Sequence, residues 1–193
     1  ARNAGGIYLK FENYDRPLIP RKGAGLALTM LTGKKEIFPT DDSDPVVRTD
    51  FFQQTGRMDF NHPFSRRLGI RLTAESGFLS GDHVLKNELF LLGGYKTLRG
   101  FLEESIEAQN FISGCAEFKA FFGDYSNGFV FYNHAFYNKR SPVYTSDDPW
   151  GFGWGIELET PAGILAIAYA IGSQFDNPIS IRDSKVHISL LNH

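Results

Sequence analysis

The sequence predicts an all-β chain, the wall of an antiparallel transmembrane β-barrel, and three observations carry that prediction. Apolar residues recur at every second position, not every third or fourth, which is the period of a strand with two unlike faces. The connections between these runs alternate between short and long along the whole chain. The 18 Phe, 8 Tyr and 2 Trp, with 42% hydrophobic residues, exclude a disordered chain and supply side chains suited to a membrane interface.

Taken in order, Ile7, Leu9 and Phe11 alternate with Tyr8, Lys10 and Glu12, and Leu26, Leu28 and Met30 with Gly25, Ala27 and Thr29. Met58 and Phe60 then oppose Arg57, Asp59 and Asn61, and Leu68, Ile70, Leu72 and Ala74 oppose Gly69, Arg71, Thr73 and Glu75. In the second half Ala116, Phe118 and Ala120 oppose Cys115, Glu117 and Lys119, while Trp154, Ile156 and Leu158 oppose Gly155, Glu157 and Glu159. Further strands over 127–138, 163–172 and 185–193 complete a set of nine, each about ten residues long, the span of a tilted strand through hydrocarbon.

The short connections, 15–22, 61–66, 123–128 and 160–163, are dominated by turn residues. The long ones, 32–48, 79–108, 138–150 and 172–184, are rich in Asp, Ser, Pro, Lys and Arg and fall at every other position. A membrane barrel has short turns on the periplasmic side and long loops outside. A soluble sandwich has no reason to gather its long loops at one end. Periodicity alone does not say which face points inward, and a lipocalin-like soluble barrel would put the apolar face inside. On the membrane reading Arg57, Asp59, Arg71, Glu75, Glu117, Lys119, Glu157 and Glu159 line the lumen. Tyr14, Phe64, Tyr137, Trp150 and Trp154 are then expected in aromatic girdles at the interfaces.

The remaining chemistry is mostly exclusion. With 20 Lys+Arg against 22 Asp+Glu, the net charge of −2 speaks against a nucleic-acid binder driven by bulk charge. The single Cys115 excludes an internal disulfide and any multi-cysteine metal site. No run approaches the length of an apolar transmembrane helix, and Ala1-Arg2-Asn3 resembles neither a start methionine nor a signal peptide, so a processed or excised chain is expected. The stretch Gly77-Phe78-Leu79-Ser80-Gly81 lacks the spacing of a nucleophile elbow. His62, His83, His134, His187 and His193 lack zinc-site spacing. Glu103 with Glu104, and Asp147 with Asp148, fall in loops as solvated pairs, and Glu157 with Glu159 reads as lumenal charge rather than a glycosidase dyad. The glycines of Gly151-Phe152-Gly153-Trp154-Gly155 precede no helix that could present a phosphate site and read as small inward positions of a strand. No cofactor, metal or catalytic residue is expected.

The long loop contains Leu91-Leu92-Gly93-Gly94-Tyr95-Lys96-Thr97-Leu98-Arg99-Gly100-Phe101. Here the chain resembles the Omp85 superfamily, in particular outer-membrane barrels of the surface-antigen D15 type. That family has a sixteen-strand barrel whose sixth external loop folds into the lumen with an Arg-Gly-Phe or Arg-Gly-Tyr tip, which Leu98, Arg99, Gly100 and Phe101 match. The turn from Asp15-Arg16-Pro17 to Pro20-Arg21-Lys22-Gly23 is similar to the family's Asp-rich turn. Gly151 to Gly172, with Glu159-Thr160-Pro161-Ala162-Gly163 and then Lys185-Val186-His187-Ile188-Ser189, is similar to its last strands, especially in versions from Bacteroidota.

The resemblance implies that residues 1–193 form one barrel portion, the eighth to sixteenth strands, with 79–108 as the inward loop. It implies lumenal anchors for Arg99: Glu117, on the charged face of its strand, and Asn133, where the family usually has an aspartate and this chain offers an uncharged acceptor. The chain also stops at His193 where the family closes on an aromatic residue. The last strand, with Val186, Ile188 and Leu190, would form one side of an openable seam. The implied role is insertion or translocation of outer-membrane or secreted client proteins in the bacterial outer membrane, without bond chemistry. The implied partners are membrane lipids, the client, and the remaining barrel strands from a longer chain or a second one. The rival expectations are a barrel serving an upstream patatin-like lipase domain, and a passive pore or small ligand-binding barrel.

Overall fold

A computed structural model describes residues 2–37, 46–140 and 143–191 of the chain. Its strands are β1 (Arg2–Tyr14), β2 (Gly23–Ile37), β3 (Val47–Pro63), β4 (Leu68–Gly81), β5 (Phe90–Leu92), β6 (Ile106–Ala108), β7 (Asn110–Phe121), β8 (Asn127–Lys139), β9 (Thr145–Asp147), β10 (Trp150–Thr160), β11 (Gly163–Ser173) and β12 (Lys185–Leu191). Nine of them form one antiparallel sheet in the order β1-β2-β3-β4-β7-β8-β10-β11-β12, with β9 added beside β8, and β5 pairs with β6 in a separate hairpin. Among the described residues β1 pairs only with β2 and β12 only with β11, so the sheet is open and has two free edges.

Register shows why alternation is so regular. One row across the sheet runs Phe60, Leu72, Ala116, Tyr132, Phe152 and Ile171, and the next runs Ile70, Phe118, Val130, Trp154, Tyr169 and Val186. These side chains share one face, which is exposed along its length; Val130 is 56% and Ile188 70% accessible. An exposed apolar surface of this extent marks a face that contacts a membrane or another protein. The opposite, inner face carries Asn61, Arg71, Glu117 and Phe131 in one row and Gly69, Lys119, Phe129, Gly155 and Ala168 in the next. The buried core lies on this inner face. One cluster joins Leu92, Leu98, Phe101 and Ile106 of the long loop to Ala135 and Tyr137, and another joins Phe129 and Phe131 to Ala168 and Ala170, with Tyr95 packed against it.

The short turns all lie at one end. In the first, the Asp15 carboxylate accepts the N–H groups of Arg21 and Lys22, each at 3.0 Å. Partial burial pushes that carboxyl upward, but the two N–H donors and the Arg16 guanidinium outweigh it and hold Asp15 below the usual carboxylate range. The same turn reaches across the sheet end: Arg16 donates to the Asp124 carbonyl at 2.6 Å, and Arg21 donates to the Gly123 carbonyl while stacking over Phe121.

Several expectations need correction. The first six long strands run to 12–17 residues rather than ten, because pairing continues past the apolar band into the polar loops. The segment 79–108 is not loop throughout: β4 extends to Gly81, and β5 with β6 forms a hairpin that buries Leu92 and Ile106. Tyr14 and Tyr137 are not girdle residues. Their positions fall on the inner face, where Tyr14 donates to Asp59 at 2.6 Å and Tyr137 is buried under the loop. Phe64, Trp150 and Trp154 do lie on the outer face, with Trp150 packed against Phe152 and Tyr132. His193, expected at the end of the last strand, lies outside the described residues.

Candidate functional site: the loop tip on the inner face

Between β5 and β6 the chain makes a closed tip. The Thr97 hydroxyl donates to the Gly93 carbonyl at 2.8 Å and accepts its N–H at 2.9 Å, and the Gly94 N–H donates to the Leu98 carbonyl at 3.1 Å. Leu98, 1% exposed, anchors this turn in the apolar cluster. Arg99 follows and points at the sheet. Gly100 has φ +100°, a conformation that L side chains rarely adopt, and a Cβ there would lie 2.8 Å from the Gly172 nitrogen. The wall is correspondingly bare: a Cβ on Gly151 would stand 2.3 Å from the Arg99 carbonyl oxygen, and one on Gly172 2.7 Å from the Phe101 ring.

Arg99 is 7% exposed. Its guanidinium forms a close ion pair with Glu117 and lies over the Phe131 ring, 4.2 Å from the centroid, with Tyr95 and Phe129 farther out at 5.2 and 5.4 Å. Cys115 Sγ is 3.7 Å from Nη2. Burial works against this charge, but Glu117 more than compensates and keeps the guanidinium pKa above its ordinary value. Asn133 Nδ2 donates to the Arg99 carbonyl oxygen at 3.1 Å. The Gly100 N–H donates to His187 Nε2 on β12 at 3.3 Å, so the tip touches the edge strand as well.

A second chain of contacts starts from the same carboxylate. Lys119 Nζ stands 3.4 Å from Glu117 Oε2 and 3.1 Å from Glu157 Oε2. Glu157 also accepts from Asn127 Nδ2 at 2.7 Å and from the Tyr95 hydroxyl at 3.0 Å. The path Arg99, Glu117, Lys119, Glu157, Tyr95 therefore leaves the loop, crosses three strands and returns to the loop four residues away. Each buried charge in it has an opposite charge within reach, the condition under which such charges are tolerated away from water. Arg71 stands directly across from Glu117 in the β4–β7 ladder and lines a cavity of about 350 Å³ with Thr73, Tyr95, Arg99 and Cys115. Among the described residues no cluster of His, Cys, Asp and Glu is arranged to hold a metal ion.

Arg99 and Glu117 thus meet. Asn133 meets Arg99 through a different atom from the one expected: it donates to the main-chain carbonyl instead of accepting from the guanidinium, whose flat face is taken by Phe131 in the same strand. Val186, Ile188 and Leu190 lie on the exposed outer face of β12, away from the tip, while His187 of that strand turns inward to it. Lys119, Glu157, Tyr95 and His187 were not expected as tip contacts. Alternation already placed Lys119 and Glu157 on the inner face, but the register that joins them across 38 residues is a property of the folded sheet.

The chain is thus an open antiparallel sheet with an exposed apolar outer face and a long loop pinned to its inner face by a buried arginine. The sequence profile of the Omp85 superfamily domain matches residues 1–190, and the chain belongs to that superfamily. Members of the superfamily are outer-membrane proteins. Compared with curated proteins, the chain shows no match.

Proposed function

We propose that this chain is the C-terminal portion of a sixteen-strand barrel of the surface-antigen D15 type in the bacterial outer membrane, its nine main strands being the eighth to sixteenth, and that it takes part in insertion or translocation of outer-membrane or secreted proteins. The observation that carries this is the contact between the loop tip and the edge strand, Gly100 to His187, in a sheet whose β12 has no second neighbour among the described residues. An edge strand presents unpaired N–H and C=O groups that an incoming strand can use by β-augmentation. A loop that meets that strand through the Gly100–His187 hydrogen bond, and the rest of the wall through buried ion pairs, holds the lumen while leaving the edge free to part.

No bond is made or broken in this role. The partners are membrane lipids, the client chain, and the strands that complete the barrel. A Bacteroidota-type barrel is the subtype that fits the last strands best. The test is disulfide trapping in cells: cysteines introduced at exposed positions of β12, in a C115S background, should cross-link to strands of client proteins during their assembly, and depletion of the protein should lower outer-membrane protein levels. Unchanged client levels, with β12 cysteines trapped only to the protein's own strands, would leave a static wall serving a passive pore or an upstream catalytic domain.

A further inference from the structure

We propose, on the membrane-wall reading given above, that the β3–β4 turn is a binding site for the phosphate of an anionic glycerophospholipid in the leaflet at the short-turn end. Arg66 and Arg67 form the tip of that turn and are both exposed. Among the described residues neither guanidinium has an ion pair or a side-chain hydrogen bond, whereas Arg16 and Arg21 of the neighbouring turn are taken up by Asp124 and Gly123. The backbone beneath the pair is fixed from several directions. The Ser65 hydroxyl accepts the N–H groups of Arg67 and Leu68 at 3.2 and 3.1 Å, and the Phe121 N–H donates to the Arg67 carbonyl at 2.7 Å. Two cations with no ion-pair partner among the described residues are therefore held on a hydrogen-bonded turn.

Immediately inboard is an outward aromatic group. Phe64 is 58% exposed, edge-on to His62 at 5.6 Å and stacked on Phe118 at 6.3 Å, and Phe122 of the adjacent turn is 62% exposed. Aromatic rings at the rim of an apolar face mark the headgroup level, and arginines just beyond them stand where lipid phosphates lie. The other turns at this end do not repeat the arrangement: in 15–22 the guanidinium groups of Arg16 and Arg21 are engaged by Asp15, Asp124 and Gly123, 123–126 contributes Asp124, and 160–163 carries no charge. The chemistry selects a phosphate diester flanked by acyl chains over a soluble acidic partner, because the cations and the apolar surface are contiguous.

The experiment uses the intact protein reconstituted in nanodiscs of equal phosphatidylglycerol and phosphatidylcholine, with retained lipids counted by native mass spectrometry. Each arginine near an anionic surface favours the anionic lipid by about fivefold, so the parent should retain phosphatidylglycerol preferentially. R66Q/R67Q should lose most of that preference, and R66K/R67K should keep it. Equal preference in the parent and R66Q/R67Q overturns the site. So does preferential retention of lipid A over phosphatidylglycerol when both are offered, or photo-cross-linking from position 64 to protein rather than lipid. If the strands are open to trypsin in every nanodisc, the membrane-wall reading itself fails, and this outcome is separate from loss of lipid preference in a protected protein.

Discussion

The side-chain amide of Asn133 donates to the main-chain carbonyl of Arg99 at 3.1 Å, so the wall grips the backbone of the loop tip as well as its charge. A buried carbonyl that loses its donor costs about 1–3 kcal/mol. Asn133→Ala should therefore loosen the tip without touching the ion pair. Limited proteolysis should show faster cleavage at 93–105 while the barrel strands stay protected.

Arg99 and Glu117 should behave as a unit. Removing one partner leaves an uncompensated buried charge and costs about 3–5 kcal/mol. Arg99→Met or Glu117→Met alone should lower the urea midpoint of the folded protein in liposomes, and R99M/E117M together should cost much less than the sum of the two. Additive losses would mean that the two charges do not interact. Lys119 and Arg71, which face the same carboxylate, would then compensate Glu117.

The bare patch under the tip makes a steric prediction. Gly151→Ala places a Cβ 2.3 Å from the Arg99 carbonyl, where backbone must shift, and overpacking of this kind costs about 1–3 kcal/mol. Gly114→Ala, whose nearest neighbour is the Thr73 carbonyl at 3.8 Å, should be close to neutral. Thermal unfolding followed by gel mobility distinguishes the two.

The loop hairpin should be pH-dependent through Glu107. Hydrogen bonds from Lys139, first, and Lys86 hold its carboxyl below the ordinary value near 4.5. A depressed carboxyl contributes order that is fully present above its unfolded pKa and is lost as pH falls through the folded one. Proteolysis of the 82–109 segment by an acid-active protease should therefore rise below about pH 4.5 in the parent. E107Q should already be loosened at neutral pH and should show a flatter profile.

Much of this architecture is legible in the sequence because a strand's faces follow from a period of two. Ile7, Leu72, Phe118 and Ile188 can be assigned to one face, and Arg71, Glu117 and Glu157 to the other, without any knowledge of neighbours. What alternation leaves out is register. Whether Lys119 meets Glu157, or His187 meets Gly100, depends on how far each strand slides along the next, which is set by turns such as 15–22 and by glycines that admit the loop. Local alternation also misassigns the end of an element: Tyr14 is aromatic and terminal, as a girdle residue would be, yet its even position in β1 turns it inward to Asp59. The loop tip stood out through its glycines and its resemblance to a known motif. The β5–β6 hairpin did not, since runs of three residues carry too little period to read.

If the outer face lies against hydrocarbon and the inner face against a polar lumen, cysteine accessibility divides by face. Single cysteines in a C115S background at Leu72, Val130 and Ile188, and at Glu75, Ser113 and Ser189, can be read for accessibility in the intact protein in liposomes, using a water-soluble maleimide and a lipid-soluble nitroxide quencher. The first three should be quenched from the bilayer and shielded from the maleimide, with the second three showing no quenching. Maleimide labelling of Leu72, Val130 and Ile188 positions at the rate of free thiol would contradict this placement of the faces.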